Sequence, residues 1–348
     1  MAGEPRVAAL TMGRPVRAEA SLVERAGPSA RSAALGAAAV AVLAALPLLV
    51  EDIYYQHVLV ICLVYVVLGQ AWNMVGGYAG QWSLGHAAFF GVGAYTSTLL
   101  LLRATVSPWL GMFVGGFVAA TVACLIAFPC FRLRTHYFAM ATLAIGETVR
   151  VLFLAFDWTG GATGLVLPVQ RIPSSYDMLW ASKLPYFYVI LAVAVVVTLL
   201  IVQVERSRLG VYLRAINQDE EAAARLGIEP RRYKLAALAG SAFVTGLTGT
   251  FYAQYTTYID PFSVMSPMLS VRIVLVPVFG GLGTVAGPII GAFTLIPLSE
   301  ITRTTWGGRG VGIDQVVYGA IIVWLTVWTP GGVMALVRRW RPHAARAT

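Results

Sequence analysis

The sequence predicts an all-α, polytopic integral membrane protein with about 8–10 transmembrane helices, some of them short or broken. Three observations carry that reading. The first is composition. Of 348 residues, 58% are hydrophobic and 12% charged, and the mean hydropathy is +0.75. A soluble domain carries about a quarter charged residues, so this chain has too few polar groups to cover a water-facing surface and lipid is its solvent. The second is length. The apolar residues gather into runs at 33–50, 53–75, 84–102, 108–128, 137–156, 185–204, 233–254, 268–280, 285–298 and 312–329. Most are about 18–23 residues, enough at about 1.5 Å per residue to cross a ~30 Å hydrocarbon core. The third is periodicity. The runs lack the in–out alternation of barrel strands, which leaves helices as the structure that satisfies its own backbone in lipid.

Charge sets the expected order of the elements. Residues 1–31 hold Arg6, Arg14, Arg17, Arg25 and Arg31 and read as a poorly ordered N-terminal tail. Residues 32–335 read as the membrane domain and 336–348 as a basic C-terminal tail. Alternating through ten spans from an inside start brings three basic segments to one side. These are the 129–136 connection (Arg132, Arg134), the 205–232 connection (six arginines, among them Arg206, Arg214 and Arg225) and the C-terminal tail. The positive-inside bias makes that side cytoplasmic, as expected for a multi-pass protein of a bacterial inner membrane. The connections 157–184, 255–267 and 299–311 fall opposite and carry fewer bases, Lys183, Arg303 and Arg309 among them. The net charge of +9 therefore belongs to loop topology, and no nucleic-acid partner is expected.

Two runs, 268–280 and 285–298, are short and are split by Gly280-Gly281-Leu282-Gly283-Thr284. They are either two short helices or a broken, re-entrant element buried within the protein. Gly76-Gly77-Tyr78-Ala79-Gly80 echoes that interruption earlier in the chain. Paired glycine breaks are one mark of an internal repeat around a midplane path, and coincidence is the alternative.

Glu205 to Lys234 is a polar insertion in an otherwise apolar chain. At its centre, Gln218 to Ile228 strings together helix formers with acids early and Arg225 late, the order that suits a helix dipole. Gly227 supplies a stop and Pro230 prevents continuation. A short cytoplasmic helix is predicted there, and the residues alone leave open an ordinary amphipathic connector.

Glu221-Ala222-Ala223, followed by three residues and Gly227, resembles the EAA signature of ABC importer permeases. The resemblance implies that Glu221, Ala222, Ala223, Arg225 and Gly227 belong to a coupling helix that docks on a separate ATPase subunit. In that reading the two alanines allow close approach and Gly227 makes the turn behind them. Longer stretches are similar to the LivM/LivH-type permeases of branched-chain amino acid importers: Gly80-Gln81-Trp82-Ser83-Leu84-Gly85-His86 to Tyr95, Leu133-Arg134 to Glu147, Thr159-Gly160-Gly161-Ala162-Thr163-Gly164-Leu165, Arg214 to Lys234, and Val278 to Thr284. The resemblance covers roughly 50–335, and the arginine-bearing N-terminal region and the Thr-Gly-Gly element favour the LivM side. It implies two ABC ATPase subunits that carry the ATP and Mg, a second, LivH-like permease and an extracytoplasmic solute-binding protein. No cofactor is expected in this chain. Gln81, Ser83, Gly85, His86, Glu147, Thr163 and Gly164 become candidates for the translocation path. Family members often carry Asn where Thr163 stands and a smaller residue at Trp82.

Other groups have plainer readings. Glu147 and Arg150 are three apart on one helix face, either a polar element beside a path or a self-compensated pair. His86 lacks any neighbouring ligand spacing and reads as a hydrogen-bonded packing residue. Arg272 begins its run and reads as snorkelling outward. Trp158, Trp180, Trp306 and Trp328 fall near span ends, as in a headgroup belt. Cys62, Cys124 and Cys130 form no metal or redox spacing. There is no GxxxxGK[ST] loop and no hydrolase constellation, so the chain reads as a transport subunit and not an enzyme. Importers of urea or short amides resemble the same permeases. An autonomous secondary transporter is the alternative from another class.

Overall fold

A computed structural model describes residues 30–49, 52–131, 135–167 and 176–306, with Val316, Gly319, Ala320, Val323 and 332–334 beyond them. The segment 1–29, the arginines at 132 and 134, the tail 336–348 and most of the 312–329 run lie outside the described residues.

One unit, Met1–Leu48, contains all but the last residue of α1 (Ala30–Leu49), a largely apolar helix with Pro47 inside it. The second unit, Leu49–Thr348, holds the other elements. They are α2 (Ile53–Asn73), continued by a π-helical turn over Met74–Tyr78, then α3 (His86–Ala104), α4 (Pro108–Cys130), α5 (Thr135–Ala155), the two-residue β1 (Leu165–Val166), α6 (Lys183–Arg206), α7 (Arg208–Gln218), α8 (Glu220–Arg225) and α9 (Pro230–Thr256). After these come β2 (Tyr258–Ile259), α10 (Pro261–Val264), α11 (Pro267–Gly280) and α12 (Ala286–Trp306). Seven helices among the described residues are long and apolar enough to cross a membrane, which makes this an all-α polytopic protein.

Helix starts follow local chemistry. The Asp52 carboxylate accepts from Tyr54 N–H at 2.8 Å, Ser266 caps α11, and Pro108, Pro230, Pro261 and Pro267 open their helices where the missing N–H costs nothing. The end of α12 departs from expectation. The stretch from Ser299 reads as a connection, yet the helix runs on to Trp306. Glu300 and Arg303 pair at 2.8 Å across one turn, and that pairing lets a polar segment stay helical.

Burial ranks the helices. In α2 and its π-turn, 89% of the apolar window is buried within the protein, against 11% for α5. The first is therefore the axis of the second unit and the other lies at its edge. Around α2 pack α6, α9, α11 and α12. The pair α3 and α9 meets at Gly93 and Gly246, where an added Cβ on Gly93 would collide with the Gly246 backbone. Close backbone approach of this kind is how helices gain packing energy in lipid.

The connections sort to two ends. At one, Asn217 reaches Gly77 and Asn73 reaches Gly283 and Thr284. At the other, β1 pairs with β2 in the antiparallel register Leu165↔Ile259, Lys183 reaches Ile53 and Arg103 reaches Trp158. Within the second unit, successive helices among α2–α6 therefore run in alternating directions.

Candidate functional site

The 205–232 insertion folds as two short helices, and α8 occupies the segment expected to be helical. Asp219 caps it by accepting from Glu221 N–H and Ala222 N–H at 2.9 and 3.0 Å. Behind it, Gly227 takes φ +84°, and Ile228 N–H returns to the Ala223 carbonyl at 3.2 Å. This is the left-handed glycine ending read from the sequence. The EAA residues divide by face. Ala223 is buried, while Glu221, Ala222, Arg225 and Gly227 are exposed, and Leu226 is 81% exposed. Ala223 therefore packs inward and does not present itself to a partner.

Several contacts, none visible in the pattern, anchor this loop. Lys234, with a side chain only 7% exposed, pairs with Glu220 at 2.6 Å and ties α8 to the start of α9. Asn217, at the end of α7, donates to the Gly77 carbonyl at 3.2 Å, and Arg214 lies over the Tyr78 ring while pairing with Glu205.

Gly77 sits where α2 gives up regular helix. Asn73 accepts from Gly283 N–H at 2.9 Å and donates to the Thr284 carbonyl at 3.0 Å, and Gln70 donates to Val285 O at 2.7 Å. The two glycine interruptions noted in the sequence are therefore one contact in space. A Cβ on Gly77 would lie 2.6 Å from Gly283 N. The 268–298 region resolves as α11, a tight glycine turn and α12. A second stretch of non-helical backbone falls at 79–85, largely buried against other helices as membrane depth requires.

That irregular segment holds three of the expected path residues, Gln81, Ser83 and Gly85, and His86 follows it as the first residue of α3. Gln81, Ser83 and His86 are buried. Trp72 Nε1 donates to Ser83 O at 2.7 Å, Gly85 lies against the Thr142 carbonyl, and His86 Nε2 shares a 2.8 Å hydrogen bond with Ser241. The other candidates lie apart. Glu147 is bound by Arg150 on α5, whose guanidinium rests 5.1 Å from the Phe262 ring centroid. Thr163 bonds back to Gly160 at 2.7 Å, and Gly164 (φ +70°) packs on the Ile259 carbonyl beside the small sheet. The seven are spread over residues 81–86, α5 and the loop before β1.

A different cavity does gather polar groups. It has a volume of about 230 Å³ and lies between α2, α11 and α12, toward the end that carries the small sheet. His57, Tyr65, Arg272, Glu300 and Arg303 contribute to its wall. His57 Nδ1 and the Tyr255 hydroxyl are 2.6 Å apart. Arg272 lines the cavity close to the Tyr65 hydroxyl. Glu300 went unnoticed in the sequence because the connection assigned there hid its helical spacing to Arg303 and its closeness to Tyr54. A carboxylate three residues before an arginine, directly after an apolar run, was the available signal.

An axial helix with a glycine-broken end, an exposed helical loop hydrogen-bonded to that break, and a charged cavity at the opposite end define a polytopic membrane permease. The chain belongs to the family described as branched-chain amino acid transport system / permease component, whose sequence profile matches residues 54–326. It is 29% identical over 304 residues to the high-affinity branched-chain amino acid transport system permease protein LivM of Escherichia coli, covering 79% of this chain and 69% of that one. It is 25% identical over 287 residues to the LivH permease protein of Salmonella typhimurium, covering 78% and 91%. A nucleoside ABC transporter permease protein, NupC of Lactococcus lactis, is 24% identical over 209 residues, covering 55% and 63%. The chain is a permease subunit of an ABC importer.

Proposed function

We propose that this chain carries branched-chain amino acids, or closely related small polar solutes, across the bacterial inner membrane. It does so beside a second, LivH-like permease and is driven by two ATPase subunits that hold the ATP and Mg. An extracytoplasmic solute-binding protein delivers the solute to the end that bears the small sheet. The loop 205–232 faces the cytoplasm and α8 docks on an ATPase, with both chain termini on that same side. One observation carries this reading above the rest. The α8 helix is exposed on its Ala222, Arg225 and Leu226 face, yet Asn217 and Lys234 fix it to the membrane helices. A helix held rigidly at its base and bare at its tip suits force transmission.

The coupling residues are Glu221, Ala222, Arg225 and Gly227 at the docking face, with Ala223 seating the helix. Within the path candidates, Gln81, Ser83, Gly85 and His86 form the buried turn that such a force reaches through Gly77. Glu147, Thr163 and Gly164 belong to the outer surface of the subunit, where a partner permease or the binding protein rests.

Gentle purification from the native membrane tests the assembly. Recovery of an ATPase, a second permease and a solute-binding protein, with uptake that survives collapse of the proton gradient while ATP stays high, is the expected result. Recovery of the chain alone under mild crosslinking, with uptake that follows the proton gradient, would overturn it in favour of an autonomous transporter.

A further inference from the structure

The charged cavity has features that packing alone does not require. His57 and Leu68 both line it and stand eleven positions apart (68 − 57) on α2, so it extends about 16 Å along that helix. One stretch of wall is apolar, built by Ile61, Val64, Leu68, Leu269 and Ile296. Charge lies beside it. Arg272 has no ion pair with a carboxylate among the described residues, and a guanidinium held in such surroundings without an anion is costly. Among the described residues, Glu300 receives Arg303 and Tyr54 on one oxygen, Oε2, in all three of its side-chain hydrogen bonds. Its other oxygen keeps acceptor capacity.

An unpaired guanidinium, a half-used carboxylate and an apolar wall match the three parts of an α-amino acid. We propose that this cavity is a recognition site for a zwitterionic α-amino acid with an apolar side chain. The Arg272 guanidinium takes the carboxylate, the Glu300 carboxylate takes the ammonium, and the side chain lies against Ile61, Leu68 and Ile296. The volume of about 230 Å³ is many times the ~10–15 Å³ that a single water needs, room for one small amino acid. A nucleoside offers no charge to either group, so the same wall selects against it. The physiological meaning of this site rests on the import reading. Its ligand chemistry is tested apart from that reading.

The test uses the full chain in phosphatidylcholine nanodiscs with saturation-transfer NMR. Three probes are compared: L-leucine, leucinamide, which lacks the carboxylate, and 4-methylpentanoate, which lacks the ammonium. The wild-type protein is expected to bind leucine at least about tenfold more tightly than either analogue, the effect of losing one charge-assisted contact. Arg272→Gln should lower leucine affinity and erase the preference over leucinamide alone. Glu300→Gln should erase the preference over 4-methylpentanoate alone. A merely structural role for either residue would weaken all three probes together. The wild-type comparison stands even if a variant fails to fold.

Equal binding of the three probes, no binding of leucine, or variants that leave both preferences intact would overturn the proposal. So would leucine binding that vanishes when phosphatidylethanolamine replaces phosphatidylcholine, since a headgroup would then be the occupant. These results are independent of the import reading. An assembly that takes up leucine with ATP and is indifferent to Arg272→Gln and Glu300→Gln would retain the importer and reject the site. Selective binding with gradient-driven uptake would do the reverse.

Discussion

Asn217 donates its side-chain amide to the carbonyl of Gly77 across 3.2 Å, joining residues 140 positions apart. One belongs to the polar loop and the other to the broken end of the axial helix. Gly77 in turn presses on Gly283, and Asn73 fastens the 283–284 backbone from both sides. A displacement of the loop therefore reaches α2, α11 and α12 through backbone contacts with little slack.

Removal of that link should uncouple the machine. Asn217→Ala loses a single exposed hydrogen bond, worth about 0.5–1.5 kcal/mol, so abundance and ATPase recovery stay normal. The number of solute molecules carried per ATP hydrolysed is expected to fall severalfold. An unchanged ratio in proteoliposomes would remove Asn217 from the transmission path.

Asn73 should matter for stability. Asn73→Leu strands the Gly283 N–H and the Thr284 carbonyl at a site where Asn73 itself is fully buried, at a cost of about 1–3 kcal/mol for each group left without a partner. A lowered Tm in detergent, read by static light scattering, is the expected outcome.

The pair Lys234 and Glu220 is asymmetric, with side chains 7% and 55% exposed. Glu220→Ala leaves an ammonium buried without a counter-charge, whereas Lys234→Met leaves a carboxylate that already meets water. The first variant should lower Tm more than the second, because an unpaired buried charge is the costly product. Equal losses would mean that the pair is solvated in the membrane-bound protein.

Leu226 contributes nothing visible to its own subunit. At 81% exposure, Leu226→Asp should leave expression and Tm unchanged while co-purified ATPase falls at least about tenfold, given that apolar anchors dominate interfaces. Full ATPase recovery would move the docking face elsewhere on the loop.

Gly227 needs its positive φ of +84°, although a Cβ there meets nothing within 4 Å. Gly227→Val should therefore cost only backbone strain, about 1–2 kcal/mol. It should shift the end of α8 and impair ATPase capture more than stability, as measured on the same purified samples.

The sequence by itself determined the membrane class, the short loop helix with its stop at Gly227, and the family. These are local or compositional properties. Hydropathy is additive along the chain, caps depend on neighbours within a turn, and the EAA and glycine-rich stretches are contiguous. Only the tertiary structure decided that Ala223 faces inward, that Gly77 meets Gly283, that 79–85 is non-helical, and that Arg272 lies beside Tyr65. Each depends on residues far apart in sequence. In a helix that is apolar on every side, no periodic pattern marks which face turns toward the protein. Arg272 on an otherwise apolar helix looks the same in sequence whether it reaches for lipid headgroups or lines a cavity. The packing of α11 against α2 and α12 settles the matter, because it places Arg272 in the cavity wall with the Tyr65 hydroxyl beside it.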